Sequence, residues 1–238
     1  MRKKTIVLVP GLDGTAQFFY RQIPQLSKKL RVVTHPLPDD PECTMHSLVS
    51  ELETVIAALA PEEDVFLCGE SFGGALSLSF ALEHPNLLRG LVILNSFPRV
   101  RKRFQLCLGP ALLKLMPWGA MSTVRRFTEW KLHTSTTLEE DLQTFHERSR
   151  AIGRQGYIRR LEILQSYDIR SRLHEIELPT LFLAAAEDHL VPSVAEARYM
   201  SERMPRAEMR VLEGFGHICL IHHDFDLLGL IEPWIYEV

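Results

Sequence analysis

Short apolar runs alternate with longer stretches of helical periodicity along this chain. Ile6-Val7-Leu8-Val9, Arg31-Val32-Val33-Thr34, Val65-Phe66-Leu67-Cys68, Leu91-Val92-Ile93-Leu94, Thr180-Leu181-Phe182-Leu183-Ala184-Ala185 and Met209-Arg210-Val211-Leu212 read as six strands. Helical patterns fall between them, at residues 18–30, 75–83, 194–204 and 222–236. Another places Leu48, Leu52, Val55, Ile56 and Leu59 on one face, with Thr44 as N-cap and a stop at Ala60-Pro61. Strands separated by helices predict a parallel sheet. Neither an internal repeat nor a low-complexity linker interrupts the pattern.

The alternation breaks between Leu94 and Leu178. Helical spacing and few β-branched runs there predict a mostly helical insertion, so residues 1–97 and 172–238 are expected to form a core and residues 98–171 a cap. Two apolar patches mark the insertion, Leu112 to Trp118 and Phe127 to Leu132. It also carries Arg99, Arg101, Lys102, Arg103, Arg125, Arg126, Arg159 and Arg160. Residues 98–171 hold 14 basic and 7 acidic side chains, net +7, so the rest of the chain carries −10 against a total of −3. By default such arginines are solvated surface charges, with anion recognition the sharper reading.

At 238 residues, 46% hydrophobic and 24% charged, the composition fits one α/β domain with an insertion. The slight negative charge argues against nucleic-acid binding. No apolar stretch is long enough for a membrane span. Arg2-Lys3-Lys4 precedes too short an apolar run for a secretory signal. Cys43, Cys68, Cys107 and Cys219 have no CxxC spacing, which fits reduced thiols and a cytoplasmic location. No cluster has metal-ligand spacing and no phosphate loop appears, so neither metal nor cofactor is expected.

The chemistry centres on Gly69-Glu70-Ser71-Phe72-Gly73, a Gly-x-Ser-x-Gly motif set between an apolar strand and a helical stretch. This is the arrangement of a nucleophile elbow, in which a sharp turn presents a serine hydroxyl and flanking glycines permit close packing. Two more groups follow later strands. Glu187 and Asp188 come after the run ending at Ala185; His217 lies in Gly214-Phe215-Gly216-His217 after the run ending at Leu212. The competing histidines are His189, His222 and His223.

The order Ser71, acid, His217 resembles that of α/β-hydrolases, and the resemblance covers nearly all the chain except residues 98–171. It implies Ser71 as nucleophile, His217 as base, and Asp188 rather than Glu187 as the acid. Pro10-Gly11-Leu12-Asp13-Gly14 corresponds to the family's oxyanion loop, with Pro10 where His is frequent. The backbone N–H groups of Leu12 and Phe72 would hold the oxyanion. The family sheet usually opens with a hairpin. Only five residues precede Ile6, so a minimal fold of six parallel strands is expected. Ser71 separates the chain from relatives that use an Asp nucleophile, and Phe72 from haloperoxidases with Met after the serine.

The resemblance implies a cofactor-free carboxylesterase acting on a small-molecule ester of short to medium acyl chain. Leu115, Met116 and Trp118 are the expected pocket residues. Two alternatives stay open. Val9 to Thr15 and the elbow are also similar to phytyl ester synthase-type acyltransferases, which pass the acyl group to an alcohol. A hydrolase-fold binding or receptor protein with little turnover is the third reading. The oligomeric state is not legible.

Overall fold

The computed structural model describes residues 2–100 and 103–238, with residues 103–108 described by their backbone alone. Arg101 and Lys102 lie outside the described residues, as do the side chains of Arg103 and Cys107. In chain order come β1 (Lys3–Val9), α1 (Gln22–Leu26), β2 (Arg31–Thr34), α2 (Met45–Leu59), β3 (Glu63–Glu70), α3 (Phe72–Glu83) and β4 (Gly90–Leu94). Four helices follow: α4 (Arg103–Leu115), α5 (Met121–Thr128), α6 (Glu139–Ser149) and α7 (Arg154–Ser166). The chain then resumes with β5 (Thr180–Ala185), α8 (Ser193–Ser201), β6 (Ala207–Leu212) and α9 (Leu227–Glu237).

The six strands form one sheet in the order β2-β1-β3-β4-β5-β6, and every neighbouring pair is parallel. The central strands β1, β3, β4 and β5 are apolar at successive positions because both faces are covered, while the edge strands β2 and β6 are partly exposed. Val7, Val9, Val65, Leu67, Leu91 and Ile93 pack in one core with side chains of α2, α3 and α8. Their neighbours Ile6, Leu8, Phe66, Cys68, Val92 and Leu94 pack in the other with α1 and α9. Trp234 of α9 is fully buried there, edge-on to Phe66 at 6.0 Å between centroids.

Local side-chain caps set the starts of α2 and α9. Thr44 and Ser47 make a reciprocal capping box on α2. The 18–30 stretch differs from expectation: a 3-10 turn at Gln17–Arg21 leads into an α1 of only five residues. Gln22 there is buried and spends its amide on the carbonyls of Leu220 and Phe225, tying the segment to the C-terminal loop. The last helix starts at Leu227 rather than at residue 222, because Asp226 accepts the Gly229 N–H and sets its N-terminus.

The chain leaves β1 toward β2 and returns on the other side of β1 to β3. The reversal opens a crevice beyond the C-terminal ends of β1 and β3, where open α/β sheets bind ligands. At the base of the insertion, Arg99 and Asp168 form an isolated antiparallel bridge outside the sheet, and the Ile169 N–H donates to the Pro98 carbonyl at 3.0 Å. Among the described residues no helix is long and apolar enough to cross a membrane.

Candidate active site

Ser71 stands at that crevice, between β3 and α3, with φ 53° and ψ −114°. A left-handed φ costs a serine about 1–3 kcal/mol and persists only where the surroundings enforce it. Here the Ser71 N–H donates to the Leu94 carbonyl at 2.9 Å, and its own carbonyl accepts from Ser96 Oγ at 2.7 Å. The flanking glycines are dictated by space. A Cβ on Gly69 would lie 2.3 Å from the Gly73 carbonyl oxygen, and one on Gly73 2.3 Å from that of Val9.

His217 Nε2 lies 3.0 Å from Ser71 Oγ, and His217 Nδ1 lies 2.7 Å from Asp188 Oδ2. Asp188 Oδ1 accepts the N–H groups of Leu190 and Val191 at 2.9 and 2.8 Å, and Oδ2 also accepts the Ser193 hydroxyl. Burial opposes the Asp188 charge, but His217, Ser193 and the Val191 amide outweigh it and hold the carboxyl below its usual range. Burial likewise opposes protonation of His217, yet the charge and hydrogen bond of Asp188, with Glu70 behind them, raise its pKa above the ordinary imidazole value. Glu187 is exposed, and only its N–H is used, by the Phe215 carbonyl. Asp188 is the acid that the structure brings to His217.

Four supporting residues carried no sequence signal that separated them from their neighbours. Asn95, at φ 47°, donates to the His217 carbonyl at 2.7 Å and accepts the Ala185 N–H at 2.8 Å, joining the ends of β4 and β5 to the histidine loop. Glu70 is buried beside Ser71, with Oε1 3.7 Å from His217 Nε2. Burial, with smaller contributions from Asp13 and Asp188, pushes its pKa up to about 8, against the opposing pull of His217. Arg160 and Asp39 anchor α7. Arg160 is 1% exposed, and its guanidinium donates to the carbonyls of Leu12 at 3.1 Å, Pro38 at 2.9 Å and Asp13 at 3.4 Å. Asp39 accepts the Gly156 N–H in the first turn of that helix. An arginine expected by default at the surface therefore holds the loop after β1. Its placement requires a glycine at position 14, at φ 71°, where a Cβ would lie 2.6 Å from Arg160 Nη2.

A cavity of about 520 Å³ opens onto Ser71 and His217. Leu12, Phe18, Leu113, Met121 and Phe145 line it, with Glu70, Arg125 and Tyr157 among its polar members. Of the three expected pocket residues, Met116 lines the cavity. Leu115 does not; it is 84% exposed, because the helical turn that brings Leu113 and Met116 to the cavity rotates Leu115 outward. Trp118 also falls outside the lining. It packs on Tyr157 at 5.9 Å and donates its indole N–H to the Ile152 carbonyl. Leu12 is at the cavity wall, while the Phe72 side chain is fully buried behind it. His222, His223 and Asp224 place ligand-type atoms within 4.8 Å of one another. His222 already uses both ring nitrogens, with Thr136 Oγ1 at 3.3 Å and the Asp224 N–H at 3.2 Å.

A six-stranded parallel sheet with a serine elbow at this position is the α/β-hydrolase fold. The model of the serine aminopeptidase S33 family matches residues 44–224, and the chain belongs to that family. The protein named as the carbamate hydrolase RutD from Serratia proteamaculans is 28% identical over 98% of this chain and 91% of its own. Among solved structures, a thermophilic esterase from Thermogutta terrifontis, described with malate bound, superposes with a TM-score of 0.87 at 18% identity, over 100% of this chain and 92% of that one. The enol-lactonase from Burkholderia xenovorans LB400 gives 0.82 at 17% identity, over 100% and 91%.

Proposed function

We propose that the protein hydrolyses carboxylic esters of short to medium acyl chains through a covalent acyl-Ser71 intermediate. The observation that carries this reading is the hydrogen-bonded chain Asp188–His217–Ser71 on the wall of a largely apolar cavity. His217 Nε2 takes the Ser71 proton as Oγ attacks the ester carbonyl. Asp188 keeps the other ring nitrogen protonated and stabilises the imidazolium. The N–H groups of Leu12 and Phe72 hold the oxyanion, each worth about 3 kcal/mol in such sites. His217 then protonates the departing alcohol. Water, deprotonated by His217, cleaves the acyl-enzyme and releases the acid.

The helices between β4 and β5 act as the cap that shapes the acyl pocket, with Met116 as one wall. The relative named for carbamate hydrolysis makes carbamates the first substrates to compare with esters, since both pass through an acylated serine. Transfer of the acyl group to a bound alcohol uses the same intermediate, so product analysis separates the two outcomes. The buried free thiols of Cys43, Cys68 and Cys219 suit a reducing cytoplasm. A fluorophosphonate probe tests the mechanism: it is expected to label Ser71, with labelling and turnover of p-nitrophenyl esters both lost in Ser71→Ala. Labelling elsewhere, or turnover retained without Ser71, overturns it.

A further inference from the structure

Arg125 faces the cavity that holds Ser71 with one of its buried donors unused. It sits in the last turn of α5. Its Nη1 donates to the Ser149 carbonyl at 2.9 Å, and its guanidinium carbon lies 5.7 Å from the Trp118 ring centroid. Its Nη2 is closed off from solvent with no hydrogen-bond partner among the described residues. Arg160 makes the contrast, because its guanidinium is spent on three carbonyls.

No carboxylate among the described residues completes Arg125. Asp13 is the nearby acid, but its carboxyl accepts the N–H and hydroxyl of Thr15 at 2.8 and 2.7 Å, and burial raises its pKa. Tyr157, the other group that acts on the arginine charge, has its own pKa raised by burial and stays neutral. Burial lowers the Arg125 pKa, but a guanidinium remains protonated at any working pH. A half-buried cation with a buried unpaired donor in a largely apolar wall is costly, and such a group in a native structure needs an explanation. A planar fork of N–H donors is the group suited to a carboxylate.

We infer that Arg125 receives a carboxylate carried by the substrate, so that the preferred esters bear a free acid at the end remote from the scissile bond. The apolar wall takes the intervening methylenes, and a small turn of the guanidinium presents its unpaired N–H to the acid. Lys131, also at the cavity, adds a second positive charge. The inference rests on the esterase reading and names the substrate class of the same site.

The test uses two matched pairs. Monoethyl adipate, with the acid on the acyl side, is compared with its neutral half-amide. 5-Acetoxypentanoate, with the acid on the alcohol side, is compared with its own amide. In one pair or the other, wild-type kcat/KM is expected to favour the acid by about 10-fold or more, equivalent to ~1.4 kcal/mol. That ratio is expected to collapse in Arg125→Met and to survive in part in Arg125→Lys. A wild type with no preference in either pair overturns the inference without any variant, as does a fall in Arg125→Met shared equally by acid and amide. Calorimetric binding of monoethyl adipate and 5-acetoxypentanoate to Ser71→Ala, with and without Arg125→Met, reads the same contact without turnover. If esterase activity is absent but the arginine still selects the acid in binding, only the proposed reaction fails. Equal binding with and without Arg125 removes the inference itself.

Discussion

The strand ends and the helical insertion above them bury their apolar side chains to very different degrees. Val65, Phe66, Leu67 and Cys68 are at most 1% exposed, whereas Leu112, Leu115, Phe127 and Trp130 of the insertion are 64, 84, 78 and 62% exposed. The sheet is held by continuous packing on both faces. The insertion is joined to it by the base of α7, where Ile163 and Leu164 enter the core, by Phe145 and Ile152 against Phe18 and Ile221, and by buried polar ties: Arg160 to Leu12, Pro38 and Asp13, Asp39 to Gly156, and Asp141 to Arg21 and His223. Chemistry that needs sub-ångström placement sits on the first construction. On the proposed function, selectivity, which gains from variable walls, falls to the second. Arg160 is where the two meet, since it grips the loop expected to hold the oxyanion.

The largest effect should come from the strand ends. Ser71→Ala is expected to lower kcat by ~10³-fold or more while leaving the fold intact, checked by turnover and thermal melting. If an insertion variant cost as much, the division would be broken. Arg160→Met comes next. It removes a buried charge and strands three carbonyls, with an expected loss of about 3 kcal/mol in stability by denaturant unfolding and ~100-fold in kcat/KM as the loop shifts. Arg160→Lys should recover little, because one ammonium cannot span three acceptors. The exposed neighbour in sequence of Arg125, Arg126, should tolerate Ala within about 0.5 kcal/mol.

A smaller effect concerns pH. His217 must be neutral to accept the serine proton, and its pKa is raised, so activity should fall with acid from a midpoint above the ordinary imidazole value. Glu70 is uncharged below about 8 and ionises above it, placing a negative charge beside the developing oxyanion. Wild-type kcat/KM should therefore drop above about pH 8. Glu70→Gln should flatten that limb and move the acid limb slightly toward lower pH, because Glu70 adds to the raised His217 pKa; an alkaline limb that persists in Glu70→Gln would assign it to another group. A smaller change again is expected at Met116. Met116→Ala should shift the acyl-length optimum by roughly fourfold in relative kcat/KM per methylene accommodated, while Leu115→Ala leaves the profile alone.

Much of this is legible in the chain itself. The central strands are short apolar runs because buried parallel strands leave no solvent face to encode. The elbow shows because Gly69 and Gly73 are enforced by backbone contact at 2.3 Å, which no other residue survives. The histidine follows β6 and the acid follows β5 because crossovers bring consecutive strand ends to one edge. Those features are local, or follow from connectivity alone.

Other features are not local. The insertion could be read as helical and basic, but Leu115 and Met116 are adjacent in sequence and face opposite environments, so their roles depend on how α4 lies on the core. Arg125, Arg126 and Arg160 are chemically identical in the sequence. One lines the cavity with an unpaired N–H, one is exposed, and one is buried under three carbonyls supplied from residues more than a hundred positions away. Glu70 is a motif position that any residue can fill, and its raised pKa comes from burial among groups brought in by other strands. Periodicity and turn chemistry determined the sheet, the elbow and the order of the hydrogen-bonded residues. Long-range packing alone decided which charges are solvated, which hold a loop and which wait for a ligand, because desolvation and hydrogen-bond completion depend on neighbours that the chain brings together only by folding.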